Sequence, residues 1–180
     1  MAWTAPATWT AAVVTAAQLN EQICDNLNYL KTAFDYTDLQ VGTKVYHNAD
    51  QAFASGSFLT IAFNSEVFDD AAMHDTVTNN SRLTCTNAGK YLVVANIRFD
   101  PVNPSGKYVS LALFKGATQY ETYTKMYNAI MSKTGLSIVT MHDLSVGDYM
   151  ELKIKHNQAG NVTVKYVANQ YSFFSAQKLG

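Results

Sequence analysis

The fold is decided by the stretch Lys90-Tyr-Leu-Val-Val-Ala-Asn-Ile-Arg-Phe99, in which a fully apolar set of side chains recurs at every second position. Successive side chains of a β-strand point to opposite faces of a sheet, so this period of two predicts a strand with one buried face. The apolar set is Tyr91, Val93, Ala95, Ile97 and Phe99.

The same period governs most of the chain after residue 43. Further alternating runs lie at residues 58–63, 107–114, 135–144, 149–156 and 162–167, and glycine-containing turn signals separate them. In the run at 149–156, Met150, Leu152 and Ile154 are expected to point inward, while Tyr149, Glu151, Lys153 and Lys155 face solvent. Many short strands without intervening helices predict an all-β fold, a jelly-roll sandwich of about 8–10 antiparallel strands over residues 43–180.

One short N-terminal α-helix is predicted over residues 15–34. Thr15 followed by Gln18 matches a capping box. An apolar stripe follows at helical spacing, and we expect it to pack on the same subunit or on copies of itself. Asn26 would occupy a core position of a strict heptad and could set its register. The stripe consists of Leu19, Ile23, Leu27, Leu30 and Phe34.

Both tryptophans of the chain, Trp3 and Trp9, fall within residues 1–14. Pro6 and the lack of a consistent period indicate an extended segment there. A short irregular segment cannot build its own core, so we expect it to pack on its own oligomer or on a partner protein.

Composition excludes several classes of protein. The chain has 180 residues and a formal net charge of −1, which argues against nucleic-acid binding. The longest apolar run, residues 91–95, is far shorter than the ~20 residues that cross a bilayer, so we expect no membrane insertion. A secretory signal would begin with basic residues followed by an apolar stretch, and the sequence does not show this pattern, so we expect no secretory signal. Cys24 and Cys85 lack metal-ligand spacing and are expected to be reduced, buried thiols, with a disulfide as the alternative.

Residues that could carry chemistry are few. Asp69, Asp70 and Asp75, with His74 between them, could hold a divalent cation or supply a glycosidase carboxylate pair, and the alternative is a solvated acidic loop. No nucleophile elbow or phosphate-binding glycine loop is present in the sequence. We therefore expect no catalytic residues, no metal site, no cofactor and no enzymatic activity.

The tyrosine-rich stretch at residues 120–127 is the candidate ligand surface. Tyr120, Tyr123 and Tyr127 lie beside threonines, a combination that suits sugar stacking or protein recognition. The alternative is that these side chains fill a subunit interface or an inner sheet face.

Four segments resemble the globular complement-head and tumour-necrosis-factor-like jelly rolls. Arg82–Phe99 is similar to their "apolar-Thr, Ala-Gly-x-Tyr" segment, and Val109–Gly116 to a strand that ends in a Lys/Asn-Gly turn. Leu144–Leu152 is similar to their "Leu-x-x-Gly-Asp-x-apolar-x-Leu" signature, and Tyr171–Leu179 to the closing strand. Together these segments span residues 43–180 in the expected order, and the resemblance implies a jelly-roll fold.

The N-terminal part resembles the start of tailed-bacteriophage virion proteins, in the segments Thr8–Thr10, Val14–Asn20 and Asp25–Leu30. The middle segments 63–69, 73–75 and 79–84 are similar to the same chains. The resemblance implies a homotrimeric head-fibre, decoration or tail-fibre protein located in the virion. Residues 1–14 would then bind another virion protein, and the knob could contact a host-surface glycan or protein. The chain has no long shaft, which favours a short knob. A carbohydrate-binding or carbohydrate-cleaving jelly roll is the alternative.

Overall fold

The computed structural model describes residues 15–33, 41–100, 106–127, 134–168 and 172–179. By its internal contacts the chain divides into two compact units, residues 1–38 and residues 39–180. Within the described residues the first unit is helical and the second is built from strands, as the sequence predicts. No helix among these residues combines the length and the apolar character needed to cross a bilayer.

The N-terminal helix begins with the predicted capping box. The Thr15 hydroxyl accepts from the backbone N–H of Gln18, and the Gln18 side chain accepts from the backbone N–H of Thr15. The helix runs as α1 (Ala16–Leu19), a π-helical segment (Asn20–Asp25) and α2 (Asn26–Ala33). The π segment is not predicted by the sequence pattern. Asn26 is buried, and its Nδ2 donates to the carbonyl O of Gln22 one turn earlier in the helix.

The predicted apolar stripe of the helix lies in solvent in the single chain. Leu19, Ile23, Leu27 and Leu30 are all exposed, and Phe34 lies outside the described residues.

Twelve strands form the second unit within the described residues. Their bounds are β1 Gly42–Tyr46, β2 Gln51–Phe53, β3 Leu59–Thr60, β4 Ser65–Asp69, β5 Arg82–Thr84, β6 Gly89–Asp100, β7 Lys107–Lys115, β8 Thr118–Tyr127, β9 Thr134–Leu144, β10 Tyr149–His156, β11 Val162–Val164 and β12 Phe173–Lys178. All pairings are antiparallel.

The strands form two sheets. The seven-stranded sheet has the order β4-β1-β12-β6-β9, and β11 pairs with the far end of β6 and with β2. In the five-stranded sheet, β8-β7-β10 are neighbours, and β3 and β5 pair with successive parts of the other edge of β10. At one side of the sandwich, β8 is an edge strand of one sheet and β9 an edge strand of the other. This arrangement confirms the predicted jelly-roll sandwich.

The core lies between the sheets and contains the inward face predicted from residues 90–99. All five members of that apolar set are 0 % exposed. Met150, Leu152 and Ile154 are also buried, as expected. The Tyr91 hydroxyl is accommodated in the core because it donates to the carbonyl O of Asn87.

Several expectations about single elements are wrong. Glu151 is buried instead of solvent-facing, because it accepts from Ser81 and Arg82 and pairs with Lys153. The run at 58–63 contains only the short strand β3, and the run at 162–167 ends its strand at Val164. Both cysteines are free thiols, but only Cys85 is buried, while Cys24 is exposed on the helix.

Candidate functional site

The outward face of the seven-stranded sheet carries large apolar side chains that are uncovered in the single chain. On the edge strand β9, Val139 and Met141 are each 67 % exposed. Met141 lies beside Leu92 of β6, and Val139 lies beside Val94. We call these four residues the apolar face.

The apolar face continues across the sheet into a more polar region. Val94 is paired with Ser175 of β12, and Ser175 with Lys44 of β1. The Lys44 ammonium lies 4.3 Å from the centre of the Phe173 ring, so a cation covers this aromatic side chain. At the other end of β6, the Nε of Arg98 is buried and has no hydrogen-bond partner among the described residues. A buried donor without an acceptor is costly, so the Arg98 Nε carries an unfavourable contribution as far as the described residues show.

The side of the sandwich where β8 and β9 meet, the β8–β9 edge, carries two of the three tyrosines that the sequence predicts as a ligand surface. Tyr120 and Tyr123 are 50 % and 53 % exposed, and the Tyr127 side chain lies outside the described residues. The Tyr120 ring meets His142 of β9 edge to face, with ring centres 5.1 Å apart and planes at 90°. Thr140 of β9 donates to the Glu121 carboxylate of β8 at 3.4 Å. These contacts join the edges of the two sheets.

His142 is a titratable group at this edge that is partly buried and has a lowered pKa. Its Nε2 is buried and has no hydrogen-bond partner in the described part of the chain. Burial lowers the pKa of His142 below its ordinary 6.5, and Lys115 lowers it further, while Glu121 opposes both. The neutral imidazole is therefore the form that the folded edge accommodates.

We expect His142 to make the protein less stable in mild acid. Because the pKa of His142 is lower in the folded state, the unfolded chain binds the proton more readily. The neutral imidazole therefore costs no stability above pH 6.5. As the pH falls from 6.5 through the lowered pKa, the free energy of unfolding decreases. His142→Phe keeps an aromatic ring against Tyr120 and removes the titration. Urea midpoints at about pH 7.5 and 5.5 should fall less for the variant than for the parent chain. Equal losses would contradict the assignment.

The acidic residues that sequence reasoning considered for a cation are used within their own loop. The Asp69 carboxylate accepts from the backbone N–H groups of Met73 and His74, both at 3.0 Å. Asp75 accepts from those of Val77 and Thr78, both at 2.8 Å. Among the described residues, no group of three or more acidic, histidine or cysteine side chains converges in a geometry that could hold a metal ion.

Sequence reasoning missed the apolar face, although a signal was present. The segment Tyr91–Ala95 is apolar without interruption, so Leu92 and Val94 place apolar side chains on the second face of β6 as well. Trp3 and Trp9 lie outside the described residues, so the structure does not place the predicted anchor segment.

Comparison with known proteins identifies the fold. No family model matches the chain, and no curated protein matches it. Solved structures do. The globular domain of a zebrafish complement 1qA protein matches with a TM-score of 0.54 and 14 % identity, over 78 % of this chain and 98 % of that one. The structure of murine APRIL at pH 5.0 matches with a TM-score of 0.55 and 8 % identity, over 77 % of this chain and 98 % of that one. The structure of Eiger TNF from S. frugiperda matches with a TM-score of 0.56 and 14 % identity, over 78 % of this chain and 92 % of that one. The fold is therefore the jelly roll of complement-head and tumour-necrosis-factor-like domains.

Proposed function

We propose that this chain is a non-enzymatic structural component of a bacteriophage particle, a homotrimeric fibre or decoration protein that displays a jelly-roll knob on the virion surface. The observation that carries the proposal is the apolar face, because Val139 and Met141 are two-thirds exposed in the single chain. The virion role is supported by the resemblance of residues 8–10, 14–20 and 25–30 to virion proteins of tailed phages.

The apolar face supports a trimer of knobs. Contiguous exposed apolar side chains on a sheet mark a surface that another protein covers. Jelly rolls of this type are trimer-forming domains, and a threefold arrangement closes on itself when each copy contacts the next in the same way. Arg98, whose buried Nε has no acceptor among the described residues, would gain one from the neighbouring copy.

The helix stripe supports the same assembly. Leu19, Ile23, Leu27 and Leu30 are exposed and share one face, which three copies of the helix would bury together. A helix of this length is marginal alone, so the knobs would hold the three copies close to one another.

Residues 1–14 are the proposed attachment to another virion protein. Trp3 and Trp9 each offer a large apolar area with few rotamers to freeze, as interface residues commonly do. Three helices side by side would present three such segments together. The knob would then point away from the particle, where it could meet a host-surface glycan or protein.

The experiment separates assembly from attachment. Light scattering of the purified full chain should give three chain masses. The double variant Trp3→Ala and Trp9→Ala should keep that mass and its melting temperature, because neither knob nor helix changes. Its incorporation into particles, measured by complementing a phage that lacks the protein, should fall at least about tenfold.

Three outcomes are informative. A monomer at micromolar concentration contradicts the trimer. A double variant that loses the trimer shows that residues 1–14 hold the oligomer together instead of anchoring it. Undiminished incorporation places the attachment on the knob and reverses the proposed polarity of the protein on the particle.

A further inference from the structure

A groove of 260 Å³ lies at the side of the sandwich remote from the β8–β9 edge, between the β4–β5 loop and β5. It takes no part in the apolar face. Its lining is mixed in polarity and includes Met73, His74, Asp75, Thr78, Asn79 and Arg82.

The wall of the groove is held in place by hydrogen bonds. Asp69 and Asp75 accept from four backbone N–H groups of the loop, as described above. The His74 side chain is fully buried, with its Nδ1 2.9 Å from Glu66 Oε1 and its Nε2 3.1 Å from the carbonyl O of Asn80. A loop fixed in this way needs little ordering when a ligand binds, which lowers the cost of binding.

Several polar groups of the lining have no hydrogen-bond partner in the part of the chain that the structure describes. The Arg82 guanidinium lies 4.0 Å from the centre of the Tyr149 ring and donates through Nε to Glu151, so its terminal nitrogens remain available among the described residues. The side chains of Thr78 and Asn79, and that of Thr84 at the far end, likewise form no hydrogen bond within the described part of the chain. The groove thus offers donors and acceptors at short spacing.

The charges of the lining disfavour an ionic ligand of either sign. Hydrogen bonds from the backbone N–H groups of Thr78 and Val77 lower the pKa of Asp75, so this carboxylate is ionised at neutral pH. An anion attracted by Arg82 would also meet Asp75, and a cation attracted by Asp75 would also meet Arg82. A neutral molecule that both donates and accepts hydrogen bonds meets neither penalty.

We propose that this groove binds one neutral sugar ring, with vicinal hydroxyls shared between Arg82, Asn79 and the Asp75 carboxylate. Its volume lies just below the ~300 Å³ at which sites for drug-sized ligands begin, which suits a single hexopyranose. A small, open site of this kind gives an affinity of about 1 mM, which a multivalent surface would strengthen. The site itself does not depend on the virion role or on the trimer.

The test measures saturation transfer by NMR from the full chain to each of a panel of neutral methyl hexopyranosides. Inorganic phosphate is then added to compete for the groove. We expect transfer to at least one sugar and no displacement by phosphate at equal concentration. Asn79→Asp should weaken binding at least about fivefold, because the change removes the amide donor and adds a second negative charge beside Asp75. Asn79 has φ +53, and aspartate tolerates this left-handed backbone as asparagine does.

Matched variants keep the result interpretable. Asp70→Asn changes an exposed side chain of the same loop outside the groove and should leave binding unchanged. Arg82→Gln should weaken binding as Asn79→Asp does. The proposal is overturned if no sugar receives saturation, if phosphate displaces the sugar, or if both groove variants bind as the parent does. It is also overturned if only Tyr123→Ser abolishes binding, because the sugar would then lie at the β8–β9 edge.

Discussion

Val139→Glu is expected to convert the trimer into monomers while the jelly roll stays folded. The Val139 side chain is 67 % exposed in the single chain, so glutamate is solvated there and costs the isolated fold little. In the proposed trimer the same position is covered, and an unpaired carboxylate would be taken out of water. Leaving such a charge buried costs about 3 kcal/mol or more, which raises the dissociation constant roughly a hundredfold.

The control for this prediction is Val146→Glu. Val146 is 68 % exposed, almost the same as Val139, but it lies in the turn before β10 and away from the apolar face. Light scattering across a dilution series should show monomers for Val139→Glu at concentrations where the parent chain and Val146→Glu remain trimers. Circular dichroism should show the same β-type spectrum for all three proteins. A trimer that tolerates glutamate at 139 would mean that the subunits meet through another surface.

The strand pattern could be predicted from sequence because it is local. The period of two at residues 90–99 and 149–156 correctly identifies which side chains enter the core. The position of the apolar face could not be predicted in this way, because it depends on which strands pair. Val139 and Val94 become neighbours only because β9 pairs with β6, and that pairing joins segments far apart in the chain.

Long-range contacts also explain the errors. Glu151 alternates with its neighbours as predicted, yet it is buried by contacts with Arg82 of β5 and with Ser81, the residue before that strand. The carboxylates of Asp69 and Asp75 look available in the sequence, but the loop uses them to bind its own backbone. In the same way, the helix stripe is evident from its spacing, but the spacing does not encode which surface would cover it.

Leu152→Ala is expected to lower the free energy of unfolding by ~2–5 kcal/mol. Leu152 is 0 % exposed at the centre of β10, where it pairs with the equally buried Leu113 of β7. Truncation removes apolar contacts and leaves a cavity between two sheets. Strand β10 pairs with three other strands, so it cannot shift to fill the gap without loss of their hydrogen bonds. Urea unfolding followed by tyrosine fluorescence would measure the loss.

Two lysines of the same strand show whether this cost comes from the inward face. Lys155→Ala should change stability by no more than ~0.5 kcal/mol, since the contact its side chain makes among the described residues is a 5.6 Å approach to the Phe58 ring. The same limit follows for Lys153→Ala from the sequence pattern. The structure raises the expected loss for Lys153→Ala to about 1 kcal/mol. The Lys153 ammonium lies 4.4 Å from the centre of the Phe114 ring and 3.5 Å from the buried Glu151 carboxylate. The expected order of loss is therefore Leu152, Lys153, Lys155. Equal losses at 152 and 153 would mean that β10 is displaced by one residue, which would exchange its two faces and move the core side chains into solvent.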